Sequence, residues 1–329
     1  MPNQQEHKHS IYCTIFDDNY LARALALYES LIQVNSTALF AFFCIDANSV
    51  KLLNALKLKR AVVVSHEEFA TPELLDVKIL RSQGEYCWTC KPVALLHLMR
   101  CMPQASWVAY VDTDMMFFAD PDLAFPGSEA HYLLAPHRYH ADFLEYEKSV
   151  GKHNAGYVAA RNSSQGNQVI NWWKDRCIQS CSVIPTDTTF ADQKYLDQFS
   201  ELFPFGVSAE HKGLNVAPWN VESFNIADGV DGVQVNDEPL LLYHFQGLHL
   251  FKNGTASLYI GNMRIPDLIR VVIYQPYLRA LIRAFARLQA VEATFKCGLG
   301  SQRVYLGNFF KRAFKMLNGN SNIVPFQLR

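Results

Sequence analysis

Trp107-Val108-Ala109-Tyr110-Val111-Asp112-Thr113-Asp114-Met115-Met116-Phe117-Phe118 is an apolar run carrying two carboxylates one residue apart. Side chains at i and i+2 leave the same face of a β-strand, so Asp112 and Asp114 converge on one hard cation if the strand ends there. Mg²⁺ and Mn²⁺ prefer such oxygen ligands and keep positions open for water or phosphate oxygens. The pair therefore predicts a metal site and a diphosphate-bearing substrate. The plain alternative is a strand ending in a solvated turn. The apolar flanks on both sides weigh against it, because unpaired carboxylates buried among them are costly.

Working outward, strands and helices alternate. Ile11–Phe16 reads as a buried strand, and Asp17-Asp18-Asn19 offers a cap for an amphipathic helix through about Val34. A strand over Ala38–Ile45 follows, then a helix capped by Asp46 with Val50, Leu53 and Leu56 on its apolar side, then a strand over Ala61–Ser65. Thr71-Pro72-Glu73 and Lys91-Pro92 place proline where a first helical turn tolerates it, which predicts helix starts there. Later, His131–Pro136 and Gly156–Arg161 read as strands, and Ser163 or Ser164 precedes a helix. The order predicts an α/β, Rossmann-like, mainly parallel sheet with helices on both faces, which binds ligands at the carboxyl ends of its strands. Asp17-Asp18-Asn19 and Asp112-Thr113-Asp114 both fall at such ends.

The 329 residues are 50% hydrophobic and 13% aromatic, enough for a large core. Eight cysteines without framework spacing read as reduced thiols of a cytoplasmic protein. Cys87-Trp88-Thr89-Cys90 is a lone CxxC, better explained as a buried helix start than as a zinc site. No N-terminal segment suggests export, and no apolar run reaches the roughly 18 residues that span a bilayer. The net charge of −1 hides an asymmetry: residues 264–329 hold eleven basic and two acidic residues, or +9, leaving −10 for residues 1–263. The chain thus divides into a body over 1–263 and a basic helical extension over 264–329. In the extension, Arg279, Arg283 and Arg287 line one side of a helix and Leu278, Leu281, Ile282, Phe285 and Leu288 the other. Leu306, Phe310, Phe314 and Leu317 repeat the arrangement against Lys311, Arg312 and Lys315. Such helices either lie on an anionic membrane, here the inner face, or pack on the body with their arginines solvated. No nucleic-acid partner is expected.

Five motifs occur in one order: Thr14–Leu21 containing Asp17-Asp18-Asn19-Tyr20, Asp112-Thr113-Asp114, His153-Asn154-Ala155-Gly156, Ala191–Leu196, and His244-Phe245-Gln246-Gly247. Over residues 10–250 this order resembles the retaining glycosyltransferases of family 8, the glycogenin and lipooligosaccharide galactosyltransferase group, with the GT-A nucleotide-diphospho-sugar transferase fold. The resemblance implies transfer of a hexose from a UDP-sugar to a glycan or lipid-linked acceptor. It implies that Asp17 and Asn19 contact the uridine, with Ile15 donating backbone bonds. It further implies that Asp112, Thr113 and Asp114 form the metal-binding segment, that His244 completes a Mn²⁺ (or Mg²⁺) site with the two carboxylates, and that Gly247 lets the backbone approach the diphosphate.

In the same reading Asp192 and Gln193 flank the reactive face of the sugar, Gln193 stabilising developing positive charge, and Asn154 holds donor sugar or acceptor. Leu250 stands where the family pattern has lysine, which leaves His249, Lys252 or Lys91 to meet the phosphate. Bland readings remain beside these: helix capping for Asp17, a turn for Asn154, a satisfied core histidine for His244, and core rather than a sugar platform for Trp219. Two other functions compete. A nucleotidyltransferase needs a Gly-rich basic loop after the first strand, where this chain has Phe16-Asp17-Asp18-Asn19. A non-catalytic membrane-binding protein rests on the +9 extension.

Overall fold

β1 (Ser10–Phe16) is buried along its whole length, as a central strand must be when sheet neighbours and helices cover it. Its side chains alternate: Tyr12 and Phe16 enter one core, Ile11, Cys13 and Ile15 the other. The computed structural model describes residues 10–261, 263–301 and 322–328.

After β1 come α1 (Leu21–Val34), β2 (Leu39–Cys44), α2 (Ala47–Leu56) and β3 (Ala61–Ser65). Short helices α3 (His66–Phe69) and α4 (Pro72–Lys78) lead to α5 (Gln83–Cys101), β4 (Trp107–Val111) and β5 (Met115–Phe117). Next are β6 (Tyr132–Pro136), α6 (Tyr146–Val150), β7 (His153–Arg161), α7 (Ser164–Gln179), α8 (Phe199–Leu202) and β8 (Val207–Ser208). The main sheet has the order β3-β2-β1-β4-β7-β6-β8. β3, β2, β1 and β4 run parallel. β7 is antiparallel to both β4 and β6, so the second half of the sheet is mixed. The expected mainly parallel α/β sheet is therefore present: β6 pairs parallel with β8, and β7 alone runs against the other six strands.

α5 begins at Gln83, not at Pro92, which lies inside it. The Ser82 and Glu85 side chains close a capping box at its start, and this nucleates the helix. An internal proline costs about 3 kcal/mol. Tyr86, Cys90, Val93, Leu95 and Leu98, all buried in one core, offset that cost. Cys87 and Cys90 are free thiols within this helix.

A meander of β9 (Ile226–Gly229), β10 (Gly232–Val235) and β11 (Glu238–Pro239) precedes β12 (Leu242–His244), which pairs antiparallel with β5. β13 (His249–Leu250), β14 (Thr255–Ser257) and β15 (Ile323–Pro325) form a third small sheet. Helix α9 (Asp267–Ile269) passes through a π turn into α10 (Gln275–Val291). The apolar stripe of α10 is spent on the body: Leu278, Leu281, Phe285 and Leu288 are buried in the core that holds α1. Its arginine stripe faces outward, with Arg287 paired to Glu29. The second amphipathic pattern, Leu306 to Leu317, lies outside the described residues. Among the described residues no helix is long and apolar enough to cross a membrane.

Candidate active site

β4 ends at Val111, and the chain then turns sharply: Asp112 donates its N–H to Gly156 O at 2.9 Å, and Met115 donates to Asp112 O at 3.2 Å. The register of β5 against β12 sets Met115 opposite His244. That long-range pairing brings His244 Nε2 to 3.2 Å from Asp114 Oδ1. One ligand atom from each of Asp112, Asp114 and His244 lies within 4.8 Å of the others, the only such group among the described residues. Thr113 is buried between the two carboxylates in sequence. Burial works to raise the Asp114 carboxyl, but the adjacent His244 imidazole and its hydrogen bond, with the more distant Arg23 charge, hold it down at about 2.

The imidazole is oriented from behind. Gly156 N donates to Asn154 Oδ1 at 3.1 Å, which fixes that oxygen as the acceptor, and the same oxygen faces His244 Nδ1 at 3.3 Å. Nδ1 therefore carries a proton, and Nε2, which meets the Asp114 carboxylate, is the nitrogen left to face a cation held there. Asn154 Nδ2 donates to Gln193 Oε1 at 3.0 Å and faces His137 Nε2 at 3.3 Å. Gln193 is held at both ends: Oε1 also accepts from Ala155 N and Nε2 donates to Val150 O at 2.8 Å. Gly156 is required by this packing. A Cβ there would lie 2.5 Å from Asn154 Oδ1 and 3.0 Å from His244 Cε1. Two carboxylates and one neutral imidazole nitrogen, with the ring held by an amide, form a donor set that fits Mn²⁺ or Mg²⁺.

Beside this group, Lys91 is buried with its Nζ 3.0 Å from Asp112 Oδ1, 3.2 Å from Asp192 Oδ2 and 3.2 Å from Ala155 O. It also sits 4.8 Å over the Tyr110 ring, whose hydroxyl donates to Asp112 at 2.9 Å. Three close oxygens engage the ammonium, so Lys91 neutralises carboxylates instead of pointing free toward a phosphate. Asp192 follows Ala191, a non-glycine residue held at φ 49°. Its backbone carbonyl accepts from Trp173 Nε1 at 2.8 Å. Burial pushes the Asp192 carboxyl up to about 6 although Lys91 draws it down, since Lys91 shares one charge between two acids.

At the carboxyl end of β1, Asp17 Oδ1 accepts from Asn19 N at 3.0 Å, and Gln83 of α5 donates to Asp17 Oδ2. α1 is capped by Tyr20 without any side-chain bond, so Asp17 serves no capping role. Ile15 is buried in β1, while Asn19 and Tyr20 are exposed at the rim. The segment after α10 closes on this turn. Cys297 Sγ donates to Asp18 Oδ2 at 3.4 Å, and Gly298, at φ 84°, approaches so closely that a Cβ would lie 2.3 Å from Asn19 O.

Gly247, at φ 78°, turns the chain after β12. Leu250 is buried in β13, and among the described residues none bonds the exposed Lys252 side chain. Trp219 is buried edge-to-face on His244 with ring centroids 5.2 Å apart, and its Nε1 donates to His137 O. Of its two readings, the core one describes it.

No protein-family model matches the chain. It is 32% identical over 252 residues to "Uncharacterized protein YfnF" of Bacillus subtilis (strain 168), covering 73% of this chain and 82% of that protein. With "Uncharacterized protein YfnD" of the same organism it shares 30% identity over 292 residues, 87% of this chain and 93% of YfnD. The chain belongs to the family of YfnF and YfnD. Among solved structures it is similar to the galactosyltransferase LgtC, crystallised with donor and acceptor sugar analogs. The TM-score is 0.50 at 13% identity, covering 82% of this chain and 95% of LgtC. At that identity the likeness shows the fold, and the fold is GT-A.

In this member of the YfnF family, sequence reasoning missed Arg23, Gln83, His137 and Gly298. Gln83 and Gly298 bond or press on the Asp17–Asn19 turn. His137 backs Asn154. Arg23 of α1 donates Nη2 to Leu248 O at 2.9 Å, beside the Gly247 turn.

Proposed function

We propose that the chain is a divalent-metal-dependent glycosyltransferase that moves a hexose from a UDP-sugar to a glycan or lipid-linked acceptor with retention of anomeric configuration. The observation that carries this reading is the Asp112–Asp114–His244 group at the carboxyl end of β4 in a GT-A fold. The Asp17–Asn19 turn stands at the end of the neighbouring parallel strand β1. Asp112, Asp114 and His244 Nε2 would hold the cation, which supplies charge neutralisation at the diphosphate leaving group.

The chain's own residues then do the rest. Asp17 and Asn19 present polar atoms at the rim to a nucleobase, and Ile15 offers main chain beneath it. Asn154 and Gln193 hold His244 in one tautomer and place amide dipoles beside the reacting centre. Asp192 is engaged by Lys91 and deeply buried, so it is poorly placed as a nucleophile, which favours replacement of the leaving group from the same face. Residues 1–263 form the transferase body in this reading, and 264–329 a basic extension seated on it through α10.

A nucleotidyltransferase is disfavoured by the acidic Asp17-Asp18-Asn19 turn in place of a Gly-rich basic loop. A membrane-binding protein without activity is disfavoured by the burial of the α10 apolar face.

Titration calorimetry of the full chain with UDP, in Mn²⁺ and in excess EDTA, tests the proposal. Binding is expected only with the metal, and Asp114→Asn should abolish it while the melting curve stays cooperative. UDP binding of equal strength in EDTA refutes the metal-dependent reading.

A further inference from the structure

A cation sits beside the metal group without an anion of its own. Arg23 lies in the stretch Leu21-Ala22-Arg23-Ala24-Leu25-Ala26-Leu27-Tyr28 of α1, every residue of which is buried. Burying a guanidinium is expensive unless an anion or several acceptors meet it. Among the described residues its one acceptor is Leu248 O, and no carboxylate stands within ion-pair distance. Among the described residues its Nε and Nη1 have no partner, and neither is sealed from solvent. Those N–H groups therefore keep access to solvent. The head lies 5.3 Å from the ring centre of Tyr20, a residue half exposed at the site rim.

A short backbone path joins this head to the metal group. Asp114 O accepts from Phe245 N at 2.8 Å, Leu248 N donates to Phe245 O at 3.0 Å, and Leu248 O accepts from Arg23. One tight turn thus links the metal carboxylate to the guanidinium, with Gly247 between them at φ 78°. The other basic residues near the site are accounted for: Lys91 is occupied by two carboxylates and a carbonyl, and Lys252 is exposed with no contact that would hold it in place.

We propose that Arg23 is the diphosphate-binding residue of this site, its free N–H groups meeting phosphate oxygens of a donor held beside Asp112, Asp114 and His244. This assignment rests on the donor reading above. A planar guanidinium suits it, because two parallel N–H groups match two phosphate oxygens and the charge persists at every working pH. The Leu248 bond holds the head in advance, so little side-chain entropy remains to be lost on binding.

The test uses the full chain and three probes: Mn²⁺ alone, inorganic pyrophosphate with Mn²⁺, and UDP with Mn²⁺. Arg23→Gln should bind Mn²⁺ alone as the wild type does, yet bind both pyrophosphate and UDP at least ~10-fold more weakly. Arg23→Lys, which keeps the charge and loses the fork, should fall between the two. Unchanged pyrophosphate affinity in Arg23→Gln overturns the assignment. So does an equal loss of Mn²⁺ and pyrophosphate binding, which would make Arg23 a structural support. A wild type that binds pyrophosphate but not UDP refutes the donor reading by itself, and the variant comparison on pyrophosphate still decides the role of Arg23.

Discussion

Replacing Lys91 by methionine keeps most of the side-chain volume and removes one buried charge. In the native site that charge lies 3.0 Å from Asp112 and 3.2 Å from Asp192. Asp112 is partly open to solvent and keeps the Tyr110 hydroxyl as a donor, so it tolerates the loss. Asp192 is 2% exposed, and among the described residues it has no second cation. Even with Lys91 present its carboxyl rises from 3.8 to about 6, which means that ionised Asp192 costs the fold about 3 kcal/mol at pH 8.

A folded-state value above the unfolded one contributes stability below pH 3.8 that is lost as the pH rises through the folded value. Lys91→Met moves that folded value higher, so its penalty grows with pH. Removing one partner of a buried pair costs about 3–5 kcal/mol, expected here at pH 8 and smaller at pH 5. Urea unfolding followed by tryptophan fluorescence in EDTA, so that no cation compensates, measures both. Lys91→Met with Asp192→Asn should recover most of the loss at pH 8. A penalty below about 1 kcal/mol at pH 8 would refute this account of Lys91 as a buried counter-charge, and so would equal penalties at pH 5 and pH 8.

Asn154→Ala removes the acceptor that fixes the His244 ring, and Mn²⁺ affinity measured by calorimetry should fall about 10–100-fold with Asp112 and Asp114 intact. Gly298→Ala forces a Cβ toward Asn19 O from a left-handed backbone, so it should cost about 1–3 kcal/mol in urea unfolding; an unchanged midpoint would show that the segment yields. The new glycosidic bond should keep the donor's anomeric configuration by proton NMR, and an inverted product would require a catalytic base that this reading does not contain.

The first half of the fold was legible because its strands are buried on both faces and read as continuous apolar runs. Ala61–Ser65 was expected with the bounds observed, and Ala38–Ile45 exceeds β2 by one residue at each end. β7 was expected from Gly156 but begins at His153. Polar residues hid its start, since His153 is buried by bonding Asp197 Oδ1 at 3.0 Å and Ser208 Oγ at 2.6 Å. The start of α5 is written in Ser82 and Glu85; proline's preference for a first turn points instead to Pro92, and it is a tendency that a capping box upstream and a buried face override.

The site divides along the same physical line. Asp112 and Asp114 lie two residues apart on one strand, so strand geometry alone makes them a pair. His244 joins them only through the β5–β12 register, and Gly298 meets Asn19 only through the path of the chain after α10. No local pattern carries such contacts, and resemblance alone supplied His244. The two buried cations did leave a local trace. Arg23 interrupts Leu21–Tyr28, and Lys91 stands between Cys90 and Pro92 in a buried helical stretch. A charge on the buried side of a helix persists only where something pairs with it, within the chain or from outside. Lys91 has its acids inside the chain. Arg23, 225 residues from its carbonyl partner Leu248, has a carbonyl and an open side, and the charge that would complete it is the one a diphosphate donor carries.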